Sequence, residues 1–113
     1  MAGRLIVMAL ALLVGGAGAG EAQKPHKPKL VTHTVTIDAS SFSPSALTIA
    51  PGDSVIWVNK DLVPHTATSQ KKGTFDSGTI AAGKSWKHTF EAKADLAYLC
   101  LFHPTMKGSL RIR

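Results

Sequence analysis

Wherever this chain is regular it alternates apolar and polar residues with a period of two, and no window of eleven or more residues sustains a helical period. Val31, His33, Val35 and Ile37 fall on one side of such a stretch, and Thr32, Thr34 and Thr36 on the other. β-Branched residues in strict alternation suit a half-buried strand, because their stiff side chains pack well on a pleated surface. Ser54 to Asn59 (SVIWVN) is more continuously apolar and reads as a strand covered on both faces. Ser85 to Glu91 alternates again, with Trp86, His88 and Phe90 on one face; Ala46 to Ile49, Leu96 to Leu101 and Ser109 to Ile112 complete the strands. Phe42-Ser43-Pro44 makes a bend, Pro51-Gly52 has the chemistry of a tight turn, and Lys60 to Lys72 carries no period and reads as a loop. Short strands recurring about every eight to twelve residues predict an all-β fold, an antiparallel or Greek-key β-sandwich or barrel.

A chain of 113 residues has room for one such domain. With 44% hydrophobic and 18% charged residues the composition is globular and excludes a disordered chain. Only 6% is aromatic, which predicts a core built mainly from Val, Ile, Leu and Ala. A small aliphatic core is marginal by itself, and a bound metal would support it.

Residues 1–19 read as a signal peptide: Arg4 supplies the charge, Leu5 to Val14 the apolar run and Ala17-Gly18-Ala19 the small-residue cleavage site. The apolar run falls short of the ~20 residues needed to span a bilayer, so no stable membrane insertion is expected after cleavage. The mature chain is expected in the periplasm, or secreted where there is no outer membrane. Residues 20–30 form a flexible N-terminal tail rich in Pro and Lys, in which His26 has no neighbouring ligand, and residues 31–113 form the folded domain. The net charge is +6, and +5 once Arg4 is removed. Its lysines are scattered without dense basic runs or interleaved aromatics, which excludes nucleic-acid binding and leaves a solvated face or an acidic partner surface.

Cys100 is the only cysteine. An exported domain with one cysteine makes no internal disulfide, and an oxidising compartment punishes an idle thiol, so a ligand role is favoured. His103 and Met106 follow at intervals of three in the stretch Tyr98 to Gly108 (YLCLFHPTMKG). Thiolate, imidazole and thioether together suit a copper ion cycling between Cu(II) and Cu(I), since soft sulfur favours the reduced ion and nitrogen serves both. Pro104 interrupts the chain and Gly108 lets it turn back into the last strand, so three side chains can wrap around one ion. The best candidate for a fourth ligand is His65, in the loop after the buried strand and stiffened by Pro64. Two imidazoles, a thiolate and a weak axial Met make the blue-copper electron-transfer arrangement. His33 and His88 fall on apolar strand faces and read as hydrogen-bonded or rim histidines.

The stretches Trp57 to Thr66 (WVNKDLVPHT) and Tyr98 to Gly108 resemble the small cupredoxins, the plastocyanin, pseudoazurin and amicyanin group, and the Cys-x-x-His-x-x-Met spacing is similar to the short ligand loop of amicyanins. The resemblance spans residues 31–113, including Phe42-Ser43-Pro44 and Pro51-Gly52. It implies a cupredoxin fold holding one type 1 copper ion per chain, with His65, Cys100 and His103 as strong equatorial ligands and Met106 as the long axial one. It implies further that a backbone N–H near Thr66 donates to the Cys100 sulfur. Many members carry Asn just after the first histidine, where this chain has Thr66. By the same resemblance the edge of His103 is exposed within an apolar patch of Leu62, Val63, Pro64, Phe102 and Pro104. Lys60 and Lys107 flank that patch, with Lys71 and Lys72 nearby, so the expected redox protein partners present an acidic docking surface to a monomer.

A cysteine-nucleophile enzyme needs a cleft and an oxyanion hole for which so small a sandwich has little room. Zinc gains nothing from a methionine, and a multicopper oxidase needs His-x-His pairs that are absent from the sequence. The expected function is therefore electron transfer rather than catalysis. The alternative is a periplasmic copper-binding or delivery protein using the same ligands, against which the single Met of the mature chain argues for a fixed redox site.

Overall fold

The computed structural model describes residues 29–113. The expected signal peptide, nearly all of the tail and His26 lie outside the described residues. Eight strands follow in order: β1 (Thr32–Asp38), β2 (Ser41–Ser43), β3 (Ala46–Ile49), β4 (Ser54–Asn59), β5 (Thr68–Ser69), β6 (Ser85–Thr89), β7 (Ala94–Leu99) and β8 (Lys107–Ile112). They form two four-stranded sheets, ordered β2-β1-β4-β6 and β3-β8-β7-β5. Alternation in β1 sends Val35 and Ile37 into the core and leaves Thr32 and Thr34 outside. β4 lies between β1 and β6, paired along both edges, and its side chains are buried or half-buried throughout.

Two pairings correct the antiparallel expectation. β1 runs parallel to β4, from Thr32 opposite Ser54 to Ile37 opposite Asn59, and β3 runs parallel to β8. The chain leaves the first sheet after β2, lays down β3 in the second and returns as β4, so β4 meets β1 from a crossover and not from a hairpin. Alternation reports which face a residue occupies, and strand direction leaves no mark on it.

The core also departs from an aliphatic expectation. Aromatics are few, but five of the seven are buried: Phe42, Trp57, Phe75, Phe90 and Tyr98. The Trp57 ring lies 5.5 Å from Phe75, Trp86 and Tyr98 and 6.3 Å from Phe90, at the offset and edge-on angles aromatic quadrupoles prefer. Each such ring buries far more surface than a valine, so placement outweighs number. Burial pushes the Tyr98 hydroxyl up to about 12, the Trp57 indole opposing the shift, yet neither the indole N–H nor the hydroxyl closes a hydrogen bond. Gly108 faces Tyr98 across the β7–β8 register, where a Cβ would overlap the phenol ring. Its smallness therefore makes room for Tyr98, a different role from the turn expected of it.

A two-residue hairpin joins Asp38 to Ser41, and both of its turn residues have positive φ, Ala39 at 50° and Ser40 at 54°. Such turns ordinarily take Asn-Gly, because a Cβ in the left-handed region costs roughly 1–2 kcal/mol per residue. With no turn signature in Ala-Ser, the sequence does not reveal β2.

Candidate metal centre

β4 ends in Asn59, fully buried, and the following loop is wound around its amide. Asn59 Nδ2 donates to the carbonyls of Val63 and Ile80, each at 2.9 Å, and Oδ1 accepts the Asp61 N–H at 2.9 Å. A buried amide with both ends used explains how a polar residue closes an apolar strand. His65 and Ile80 then exchange backbone hydrogen bonds in both directions, which seats His65 with none of its surface exposed.

The His65 ring is held from both sides. Nε2 lies 2.7 Å from Asp61 Oδ2. The carboxylate only accepts, so Nε2 carries the proton and Nδ1 keeps its lone pair. That lone pair faces the Cys100 sulfur at 3.7 Å. Asp61 also accepts the backbone N–H groups of Ala39 at 2.8 Å and Ser40 at 2.9 Å. The Ser40 N–H leads in holding the Asp61 carboxyl below its ordinary range, burial opposing it and His65 and Ala39 adding to it.

Cys100 follows β7 directly and is fully buried. The Thr66 N–H donates to its sulfur at 3.3 Å, as the resemblance implied. Thr66 Oγ1 accepts the Leu101 N–H at 2.9 Å and contacts Thr68 Oγ1, which donates to Asp76. The loop carrying His65 is thus tied to the loop carrying Cys100 by the backbone and hydroxyl of a single threonine. At the other end of the second loop, Met106 N donates to His103 O at 2.8 Å and Cys100 N donates to Met106 O at 3.0 Å, closing the loop on itself. Met106 is buried in the same core cluster as Cys100. His103 is exposed, and its ring centre lies 5.2 Å from that of His65.

The four candidate ligands His65, Cys100, His103 and Met106 therefore come from two loops that are hydrogen-bonded to each other. Among the described residues no three His, Cys, Asp or Glu side chains, His65, Cys100 and His103 included, converge into a ready-formed metal cage. A buried thiol with an N–H aimed at its sulfur, an imidazole lone pair facing it and a buried thioether fit copper by their softness. Cys100 has none of its surface exposed, and two surface grooves lie away from it along β3, β7 and β8, lined by residues such as Thr48, Asp95 and Arg111. His33 is bonded to Asp53 at 2.9 Å, and His88 is half-buried and stacked on Trp86 at 5.2 Å, as sequence reasoning had them. Asp61 and Asn59 escaped that reasoning, although Asp61 lies four residues before His65.

Residues 29–113 match the family of copper binding proteins that comprises plastocyanin and azurin. Amicyanin of Paracoccus versutus is 26% identical over 80 residues, a match covering 67% of this chain and 61% of that relative, so less than two thirds of the relative's length is spanned. A novel purple cupredoxin from Nitrosopumilus maritimus superposes with a TM-score of 0.66 at 29% identity, over 72% of this chain and 99% of that one. An oxidised amicyanin variant superposes with a TM-score of 0.68 at 22% identity, over 73% and 82%, a likeness of fold. The matched sequence, the two-sheet sandwich and the soft donor set agree: the chain belongs to the plastocyanin/azurin family of copper binding proteins and is a small cupredoxin.

Proposed function

We propose that this cupredoxin carries single electrons between redox proteins outside the cytoplasm, with His65, Cys100 and His103 as the strong copper ligands and Met106 as the weak axial one. The observation that carries the reading is the buried facing of His65 Nδ1 and Cys100 Sγ, held by Asp61 and Thr66, next to an exposed His103. Copper bound there supplies the exchange of one electron between Cu(II) and Cu(I). The protein's part is rigidity: with both loops cross-tied, the donors keep one arrangement for both oxidation states. Burial of His65, Cys100 and Met106 excludes water, and His103 offers the only one of the four side chains open to a partner.

The surface around His103 supports a docking role. Among the described residues six large hydrophobic side chains are exposed, and four belong to the ligand loops: Leu62, Val63, Leu101 and Phe102. Leu62 is 95% exposed, which folding alone does not favour and a partner surface would cover. Pro64 and Pro104 extend the patch, and exposed Lys60 and Lys107 flank the two loops. An apolar centre with a basic rim suits fast, weak association with an acidic partner. The export reading of residues 1–19 puts that exchange in the periplasm or beyond.

A direct comparison separates a carrier from a copper-delivery protein. The copper-loaded mature chain is expected to exchange electrons reversibly at an electrode while yielding its copper only slowly to a Cu(I) chelator. Rapid loss of copper without reversible electron exchange would favour delivery.

A further inference from the structure

We infer that Asp61 and the Ala39–Ser40 turn form a positioning device for His65, fixing its tautomer and placing a negative charge behind it that favours Cu(II) over Cu(I). The inference rests on the copper reading above. Three observations carry it. The turn adopts two successive positive-φ conformations without glycine, so its shape is disfavoured locally and needs support from elsewhere. That support is the Asp61 carboxylate, 21 and 22 residues away in sequence, which takes one turn N–H on each oxygen. Successive N–H groups in such a turn make an anion-binding concavity. Finally, Oδ2 accepts both from Ser40 and from His65 Nε2, so the group that stabilises the turn also orients the ring. Asn59 completes the device by fixing the Asp61 backbone through Oδ1.

The charge has a direction of effect. A carboxylate hydrogen-bonded to a ligand imidazole makes it a better donor, and an adjacent negative charge stabilises the more positive oxidised site. Removing the charge lowers affinity for Cu(II) more than for Cu(I). An asparagine at this position has one oxygen and one NH2: with the oxygen at the Oδ2 place it still accepts from Ser40 and His65, but its NH2 then meets the Ala39 N–H donor against donor, and the charge is gone.

The test begins in the metal-free protein. Nitrogen-15 NMR of the histidine rings is expected to show His65 with its proton on Nε2. The Ala39 and Ser40 amides, although at the surface, are expected to be protected from hydrogen exchange. In Asp61→Ala, which leaves Nε2 without its acceptor, the tautomer becomes mixed, and in Asp61→Asn amide protection at the turn is weakened, at Ala39 first. In the copper-loaded proteins Asp61→Asn binds Cu(II) about 10- to 100-fold more weakly, as loss of such outer partners does, and each tenfold falling on Cu(II) alone raises the reduction potential by about 59 mV. Asp61→Glu keeps the charge and recovers part of the shift. A double variant, Ala39→Asn with Ser40→Gly, keeps both N–H donors and is expected to hold the wild-type tautomer and potential, so it remains informative where the Asp61 variants fold poorly; a changed tautomer there counts against the device. A wild-type tautomer in Asp61→Ala, or protected turn amides with an unchanged potential in Asp61→Asn, overturns the inference. Failure of the wild-type protein to bind copper overturns the metal reading instead, while the tautomer and exchange results still decide the positioning role.

Discussion

His65 Nδ1 and Cys100 Sγ face each other at 3.7 Å, both fully buried, across 35 residues of sequence. Neither strand chemistry nor local turn chemistry brings them together. Two cross-links do so, the Thr66 N–H to the sulfur and the Leu101 N–H to the Thr66 hydroxyl, so one residue spans both loops.

Thr66→Val keeps the shape and removes the hydroxyl, leaving the Leu101 N–H without its acceptor. A loss of about 0.5–1.5 kcal/mol is expected for one part-buried hydrogen bond, read by denaturant unfolding of the metal-free protein. Thr66→Ser keeps the hydroxyl and is expected to lie close to wild type; equal losses in both variants would show that the link contributes nothing.

Asp53 sets an acid limit on stability. It is buried and held below its ordinary range chiefly by His33 Nε2, then by the N–H groups of Ala50 and Val31, with burial opposing them. A carboxyl whose folded value lies below its unfolded value near 3.8 contributes stability above that value and loses it as the pH falls through the folded one. Thermal unfolding from pH 6 downwards is therefore expected to show a decline below about pH 4 that is flattened in Asp53→Asn. The same decline in the variant would assign it to other carboxylates.

Gly108→Ala drives a Cβ into the Tyr98 ring, which packs on Trp57. Overpacking at such a contact costs about 1–3 kcal/mol. A lower melting temperature with altered tryptophan emission is expected, and unchanged emission with unchanged melting would mean that Tyr98 yields freely.

Lys60→Glu with Lys107→Glu reverses charge beside the exposed apolar patch without touching a candidate ligand. Electron transfer to an acidic redox protein is expected to slow, and its wild-type rate to fall as ionic strength rises. A wild-type rate indifferent to salt would refute electrostatic steering.

Legibility in the sequence followed the range of the forces involved. β1 and β6 are readable because cover on one face imprints a period of two, and β4 because cover on both faces leaves a short, nearly continuous apolar run. Cys100, His103 and Met106 were readable because one short loop carries all three, and His65 because Pro64 marks its loop. β2 and β5, three and two residues long, are too short to show a period, and the turn before β2 lacks Gly or Asn. Asp61 looks like any loop aspartate until the fold brings the Ala39–Ser40 turn against it. The Trp57 cluster is a matter of register, which sets Trp57 opposite Trp86 and lies beyond composition.

The visible spectrum of the purified mature protein titrated with Cu(II) tests the copper assignment most directly. One equivalent of Cu(II) is expected to produce an intense blue thiolate-to-copper band that is absent from Cys100→Ser. A colourless product, or the same spectrum in Cys100→Ser as in wild type, would contradict the account.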